Sequence, residues 1–352
     1  MTRAHDMNFT PRMLAVIAEL DEFKGAWKHW ADLRPEQLRA LRKISTVESI
    51  GSSNRIEGNR LSDREVAALL GRISIQPFGS RDEEEVAGYA ELMNLIFDDY
   101  PVIPFSENHI KQLHQILLQF TAKDAKHRGE YKKLSNSVAA FDADGREVGI
   151  VFETATPFDT PRLMEELVEW TRKNLKDPML HPLIVIGVFI VHFLAIHPFQ
   201  DGNGRLSRAL TALLLLQKGY AYVPYSSLES VIEAAKEGYY RALRRTQKNI
   251  WRGRVEYGPW LTFFLSALQK QKRRLEEKIQ AVADGDSTLG KNARAVLKLF
   301  GDKPEWSVAG AAETLGLNIN TAAKTIKKLV INGYLTRHGT TKGAWYERTT
   351  TR

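Results

Sequence analysis

Apolar residues along this chain recur mostly at helical spacing, which predicts helices over residues 11–20, 35–57, 61–73, 82–100 and 106–120. Ser62 or Asp63 can cap the third of these and Ser106 the fifth, while 77–80 interrupts the pattern with Pro and Gly. The acidic opening of the fourth suits the positive end of a helix. From 137 to 156 the pattern shortens: Asp144-Gly145 follows one short run and the β-branched 148–152 follows the turn, predicting a hairpin. Residues 161–174 are amphipathic. Residues 181–196 are apolar almost all round, so this helix should be buried and central, with His192 as a satisfied core histidine. A second apolar run covers 206–216, and helices over 230–246 and 257–280 complete the body. Asp, Gly and Ser cluster at 283–287, which predicts a linker.

Beyond it, helices are expected at 291–300, 308–315 and 320–332, then strands at 333–337 and 344–348. Helix, helix, turn, helix and hairpin resembles a winged helix-turn-helix. Ile326, Leu329 and Val330 supply a core face for its third helix; Asn320, Thr321, Lys324, Thr325, Lys327 and Lys328 supply donors for phosphates and base edges. Charge sharpens this. Residues 288–352 hold eleven Lys/Arg and four Asp/Glu, a net +7 out of the whole chain's +8, so a nearly neutral body carries a basic end suited to a polyanionic partner, DNA in a winged helix, or to a solubilising surface. A protein-docking surface is the alternative.

The 352 residues are enough for roughly two domains. Without cysteine, disulfides and thiolate zinc sites are excluded, and a reducing compartment fits. Residues 1–14 have no apolar signal core, and the longest apolar run is about fourteen residues, short of the roughly twenty a membrane span needs. The expectation is a cytoplasmic protein with no membrane partner.

Between the two apolar runs lies His197-Pro198-Phe199-Gln200-Asp201-Gly202-Asn203-Gly204-Arg205, continued by Leu206-Ser207-Arg208. The glycines let backbone N–H groups approach an anion, and the following helix aims its positive end into the same space. Arg205 and Arg208 can reach one anion together, Asp201 offers a hard oxygen to Mg²⁺, and His197 titrates near neutral pH. A Walker A loop is absent. These residues describe a phosphate-handling site.

His-Pro-Phe-x-Asp-Gly-Asn-Gly-Arg-x-x-Arg is also the signature of the Fic family, and the sequence matches it at every specified position. The resemblance covers roughly residues 45–268. It implies a mainly α fold: a Fic-type helical bundle with a β-hairpin flap, here with a small C-terminal winged-helix domain. The expected domains are an N-terminal helical region (1–100), a catalytic core (101–268), a helical extension and linker (269–287) and the winged helix (288–352).

The resemblance further implies transfer of AMP from ATP to a Ser, Thr or Tyr hydroxyl of a protein. His197 would be the general base and Asp201 the Mg²⁺ ligand. Backbone N–H groups of Gly202, Asn203 and Gly204, with the Asn203 side chain, would cradle the phosphates. Arg205 would grip the phosphate chain, and Arg208 the γ-phosphate. Ser53-x-x-x-Glu57-Gly58 resembles the family's inhibitory motif, in which Glu57 would pair with Arg208. The flap, at Gly149, Ile150, Val151 and Phe152, would take the target segment by strand pairing, and Tyr240 would line the nucleoside pocket. Partners would be a hydroxyl-bearing protein, the chain itself included, and DNA through Asn320, Thr321, Lys324 and Lys328; a homodimer is compatible. Phosphorylating relatives carry Lys where this chain has Gly204, which argues against phosphotransfer. Two alternatives stand beside AMP transfer: a nucleotide-sensing DNA-binding regulator, and a Fic enzyme that uses another nucleotide or removes AMP.

Overall fold

The computed structural model describes residues 8–349 apart from 34, 74–76, 142–146, 254, 289–290, 304, 332–333 and 340–343. Contacts divide it into two units, Met1–Leu275 and Glu276–Arg352.

In the first unit, α1 (Pro11–Leu33) runs well past the expected end at residue 20, because Phe23 and Trp27 extend its buried stripe of Met13, Val16, Ile17 and Leu20. α2 (Pro35–Ile56) follows, then α3 (Asp63–Leu70). At α3 the Ser62 side chain accepts from the Glu65 N–H while Glu65 accepts from the Ser62 N–H at 2.8 Å, a reciprocal cap. Ser80 and Ser106 cap α4 (Arg81–Asp99) and α5 (Glu107–Leu117) in the same N-terminal sense.

The hairpin is present, with β1 (Ser137–Phe141) antiparallel to β2 (Glu147–Glu153) and Val138 opposite Phe152. Register shifts after Val138 and Ala140 mark bulges. The expected Asp-Gly turn, 142–146, lies outside the described residues.

α6 (Thr160–Asn174) then leads to α7 (Pro182–Ile196), where every residue from Leu183 to Ile196 is buried. Each such Leu, Ile, Val or Phe contributes about 1.5–3 kcal/mol by leaving water, which makes α7 the axis of the unit. His192 is satisfied, as expected of a core histidine: its Nε2 lies 2.7 Å from the Tyr257 hydroxyl. α8 (Asn203–Gln217) is buried on nearly all sides too.

The single helix expected over 230–246 is two, α9 (Leu228–Glu233) and α10 (Lys236–Gln247). Glu233 at the end of α9 is gripped by Nε and Nη2 along one edge of the Arg55 guanidinium, at 2.7 and 3.0 Å, a tertiary contact that no local pattern announces. α11 (Gly258–Thr288) continues straight through the expected linker at 283–287. A long helix already nucleated propagates through Asp, Gly and Ser when no proline stops it.

In the second unit come α12 (Lys291–Asp302), β3 (Glu305–Ser307), α13 (Val308–Leu315), α14 (Ile319–Ile331), β4 (Leu335–His338) and β5 (Trp345–Arg348). The antiparallel sheet is ordered β3-β5-β4. Its first strand escaped the sequence pattern, being three residues long. Val296, Phe300, Ala311, Ile326, Leu329 and Leu335 form the core, with Val330 packed against it.

Gly88 on α4 is where α4 and α5 meet most closely: a Cβ there would lie 2.1 Å from the Leu117 carbonyl oxygen. Gly88→Ala should therefore destabilise the protein by about 2 kcal/mol or more, since backbone must move. Gly25→Ala on α1, with nothing within 4 Å, should stabilise it by up to about 1 kcal/mol. Denaturant unfolding of both variants checks this; equal midpoints would contradict it.

Candidate functional site

The chain reverses between α7 and α8, and that reversal builds the site. His197 caps α7 in the left-handed region (φ 52°, ψ 61°), as no other non-glycine does among the described residues. Such a backbone costs about 1–2 kcal/mol, so the surroundings must hold it. Its N–H donates to the Phe193 carbonyl at 2.9 Å. Its Nδ1 lies 3.2 Å from the Leu194 carbonyl, which can only accept, so Nδ1 carries the proton and Nε2 is left as the basic nitrogen. Burial pushes the His197 pKa down to about 4, against a small lift from the Leu194 bond.

The loop is pinned from several directions. Asn203 accepts from the Phe199 N–H at 2.9 Å and donates to the Phe199 carbonyl at 2.7 Å. Its side chain was expected to cradle phosphates directly; instead it is buried and committed to the loop, because both of its polar ends are already used. Gly202 (φ 78°) begins α8, and its N–H donates to Asp201 Oδ1 at 2.6 Å. The backbone N–H groups at the start of α8 stand at the positive end of that helix.

His114 on α5 was missed by sequence reasoning. Its ring stacks on Phe199 at 3.8 Å. The Gly129 N–H donates to its Nδ1 at 2.9 Å, so Nε2 carries the proton and donates to the Asp201 carbonyl at 3.0 Å. Burial lowers its pKa to about 4, which keeps that arrangement neutral.

Lys132 was also missed. It is buried, and its Nζ donates to Asn136 Oδ1, Thr154 Oγ1 and the Ile196 carbonyl at 2.8–2.9 Å. Its backbone N–H donates to the Pro198 carbonyl at 2.8 Å, and Asn136 Nδ2 to the Phe199 carbonyl at 2.8 Å. These bonds fasten the base of the β1–β2 hairpin to the loop. Burial lowers the Lys132 pKa to about 8. Neither residue carries a sequence signal, since each acts through partners more than sixty residues away. Gly149, Ile150, Val151 and Phe152 all lie on β2 of this hairpin. As a two-stranded sheet it leaves an outer edge on each strand that no described strand pairs.

Arg208 is buried on α8 and is met by α2. Its Nε donates to Ser53 Oγ at 2.8 Å, and its Nη2 to the Ser53 carbonyl at 2.8 Å and to Glu57 Oε1 at 2.9 Å. Burial is the largest single influence and opposes the charge, but Glu57 and the neighbouring Tyr239, Tyr89 and Tyr240 together outweigh it, and the arginine stays charged. Gly204 gives Glu57 its room: a Cβ there would sit 2.1 Å from Glu57 Oε1. Behind Arg208 lies Glu229, wholly buried, whose pKa burial raises. Tyr240, half-buried on α10, packs edge-on against Tyr239 at 5.1 Å and feels the charge of Glu57.

Arg205 is buried with Glu85 Oε2 3.4 Å and Asp201 Oδ2 3.7 Å from its guanidinium. Asp201 is half-exposed. It is a lone carboxylate, and no group of three or more metal-ligating side chains occurs among the described residues. The Asp201 oxygens meet the Gly202 N–H and the Arg81 and Arg205 guanidinium groups, and a single half-exposed carboxylate would serve a divalent cation only together with ligands from outside the protein. The structure thus brings together His197, Asp201, Gly202, Asn203, Gly204, Arg205, Arg208, Ser53 and Glu57. Asn320, Thr321, Lys324 and Lys328 belong to α14 of the second unit, with Asn320, Lys324 and Lys328 exposed. No described helix is long and apolar enough to cross a membrane.

Comparison with known proteins meets this geometry at the same residues. Residues 104–215 match the Fic/DOC family. A probable protein adenylyltransferase of Aquifex aeolicus is 32% identical over 110 residues, 31% of this chain and 33% of that one. Protein adenylyltransferase Fic of Drosophila mojavensis is 24% identical over 304 residues, 84% of this chain and 55% of its own. The chain therefore spans only a third to about half the length of these relatives. A crystal structure of a Fic family protein from Desulfovibrio desulfuricans superposes with a TM-score of 0.60 at 23% identity, covering 99% of this chain and 98% of that one. A Fic domain containing signaling protein from Bacteroides thetaiotaomicron superposes at 0.61 and 25% identity, covering 76% and 97%. The signature loop built around His197 thus lies inside the stretch that matches the Fic/DOC family, on a fold similar to that of solved Fic proteins.

Proposed function

We propose that this protein transfers AMP from ATP to a side-chain hydroxyl of a protein, and that Glu57 restrains it. The observation that carries the reading is His197: its Nδ1 proton is committed to Leu194, so Nε2 is free to accept a proton. In the step proposed, the acceptor hydroxyl oxygen bonds to the α-phosphorus, its proton passes to His197 Nε2, and the bond to the pyrophosphate oxygen breaks. N–H groups of Gly202, Asn203 and Gly204 receive the phosphate charge, and Arg205 holds the chain. Asp201 would hold Mg²⁺, which offsets phosphate charge when bound. Arg208 would take the γ-phosphate once Glu57 leaves it, setting the in-line geometry. The open edges of the β1–β2 hairpin suit an extended target segment, and Tyr240 would line the nucleoside pocket. The similar proteins named as adenylyltransferases support the same reaction.

The second unit supports a DNA-binding reading. Its order of helix, strand, helix, helix and hairpin suits a winged helix, and α14 buries Ile326 and Leu329 while exposing Asn320, Lys324, Lys327 and Lys328. Full-length protein should bind duplex DNA with an affinity that falls steeply as salt rises. Lys324→Ala with Lys328→Ala should weaken it severalfold, as gel shifts at two salt concentrations would read. Unchanged binding in the double variant would remove α14 from the interface.

Glu57→Gly should raise the initial rate of AMP incorporation at saturating ATP by tenfold or more. Arg208→Ala should not mimic it, and the double variant should behave like Arg208→Ala, because the γ-phosphate anchor goes with the brake. Label must come from the α-phosphate; γ-phosphate label on protein would refute AMP transfer, and nucleotide binding with no turnover in any variant would favour a sensing role. His197→Ala should abolish transfer while retaining ATP.

The pH profile tests the base. A solvated histidine is half protonated near pH 6.5. With its pKa pushed down to about 4, His197 stays neutral and competent well below that. The Glu57→Gly rate should therefore show no histidine limb between pH 8 and 5.5; a limb centred near 6.5 would contradict the buried base.

A further inference from the structure

Asp201 Oδ2 is held by two guanidinium groups. Arg81, the first residue of α4, places Nη2 3.3 Å from it, and Arg205 Nη2 stands 3.7 Å away. The same two arginines meet again on Glu85. Arg81 Nε donates to Glu85 Oε1 at 2.7 Å, and Arg205 Nη1 lies 3.4 Å from Oε2. The four side chains close a ring of alternating charge. Its halves differ in freedom: Arg205 and Glu85 are 3% and 13% exposed, Arg81 and Asp201 48% and 40%. The buried half is fixed in place, and the outer half can rearrange at small cost.

We infer that Arg81 is a resident counter-cation for Asp201, one that must yield Oδ2 before Asp201 can serve a divalent cation arriving with the nucleotide. Arg81 then sets how much the cation adds to nucleotide affinity. The inference rests on the reading of Asp201 as the cation's ligand. Physically, the guanidinium and a divalent cation would compete for one oxygen and repel each other at that distance. Arg81 is not stranded when it yields, because its Nε–Glu85 bond does not involve Asp201, and the nearby Asp124 also favours its charge. Without a divalent cation, Arg81 does the opposite service: it screens Asp201 from the negative phosphate chain. Nothing in the sequence marks Arg81, since it lies 120 residues from Asp201 and outside the signature.

The test is the affinity of full-length protein for α,β-methylene ATP, measured calorimetrically with Mg²⁺ and again with EDTA. The readout is the ratio of the two dissociation constants, EDTA over Mg²⁺. Arg81→Ala should raise that ratio about threefold or more, by tightening the Mg²⁺-bound nucleotide and weakening the bare one. Arg81→Lys should stay near the wild type, since an ammonium can also occupy Oδ2. Asp201→Asn serves as the reference and should bring the ratio close to one. If Asp201→Asn leaves the ratio unchanged, the cation reading of Asp201 fails and this inference with it. If Asp201→Asn collapses the ratio while Arg81→Ala leaves it unchanged or lowers it, Arg81 alone is overturned. Arg81 is exposed enough for its removal to leave the fold intact, which a thermal melt confirms.

Discussion

The site depends on one backbone reversal, held against its own strain. A β-carbon-bearing residue in the left-handed region is unfavourable, yet His197 occupies it between two buried helices. Hydrogen bonds from four directions hold it there: the Phe193 and Leu194 carbonyls of α7, Lys132 at the hairpin base, Asn203 at the start of α8, and His114 on α5. Most of them spend polar atoms on the loop's backbone; the Phe199 and Gly202 N–H groups are taken up by Asn203 and Asp201, while His197 Nε2 is left uncommitted. The site is preorganised because its supports are buried and nearly saturated, not because its own residues are rigid.

Charge is arranged around that loop in two opposed pairs. Arg208 is clamped by Ser53 and Glu57, Arg205 by Glu85 and Asp201. Removing a buried arginine from water without partners is costly, so each needs a carboxylate whenever phosphate is absent. The partners are not equivalent. Glu57 and Asp201 are partly exposed, whereas Glu85 is largely covered and Glu229 is buried. Both pairs therefore use the same physical device: a half-exposed carboxylate on a buried guanidinium.

The two units differ in how their identity is expressed. The first is organised by burial, with α7 and α8 almost wholly enclosed. The second has a small core and an exposed basic helix, so most of its character lies on the surface. Its short first strand is visible only in tertiary context, where β5 pairs with it.

The amino-acid pattern alone showed which helices are buried, where the hairpin falls, and which residues form the glycine-rich loop between α7 and α8. These follow from local period and from glycine spacing, and both act over a few residues. It also placed Glu57 and Arg208 in one pair, though only through resemblance. Propagation of α11 makes the Asp-Gly-Asp-Ser stretch helix rather than linker, and tertiary structure decided that residues 228–247 break into two helices. It turned the Asn203 side chain to the loop rather than to phosphate, and it brought Lys132, His114, Glu85 and Arg81 to the site. Apart from the Asn203–Phe199 bond, those contacts join residues dozens to more than a hundred positions apart, and a buried lysine or histidine looks in sequence like any other. Periodicity reports which face is covered; only the packed fold reports which polar atoms meet beneath it.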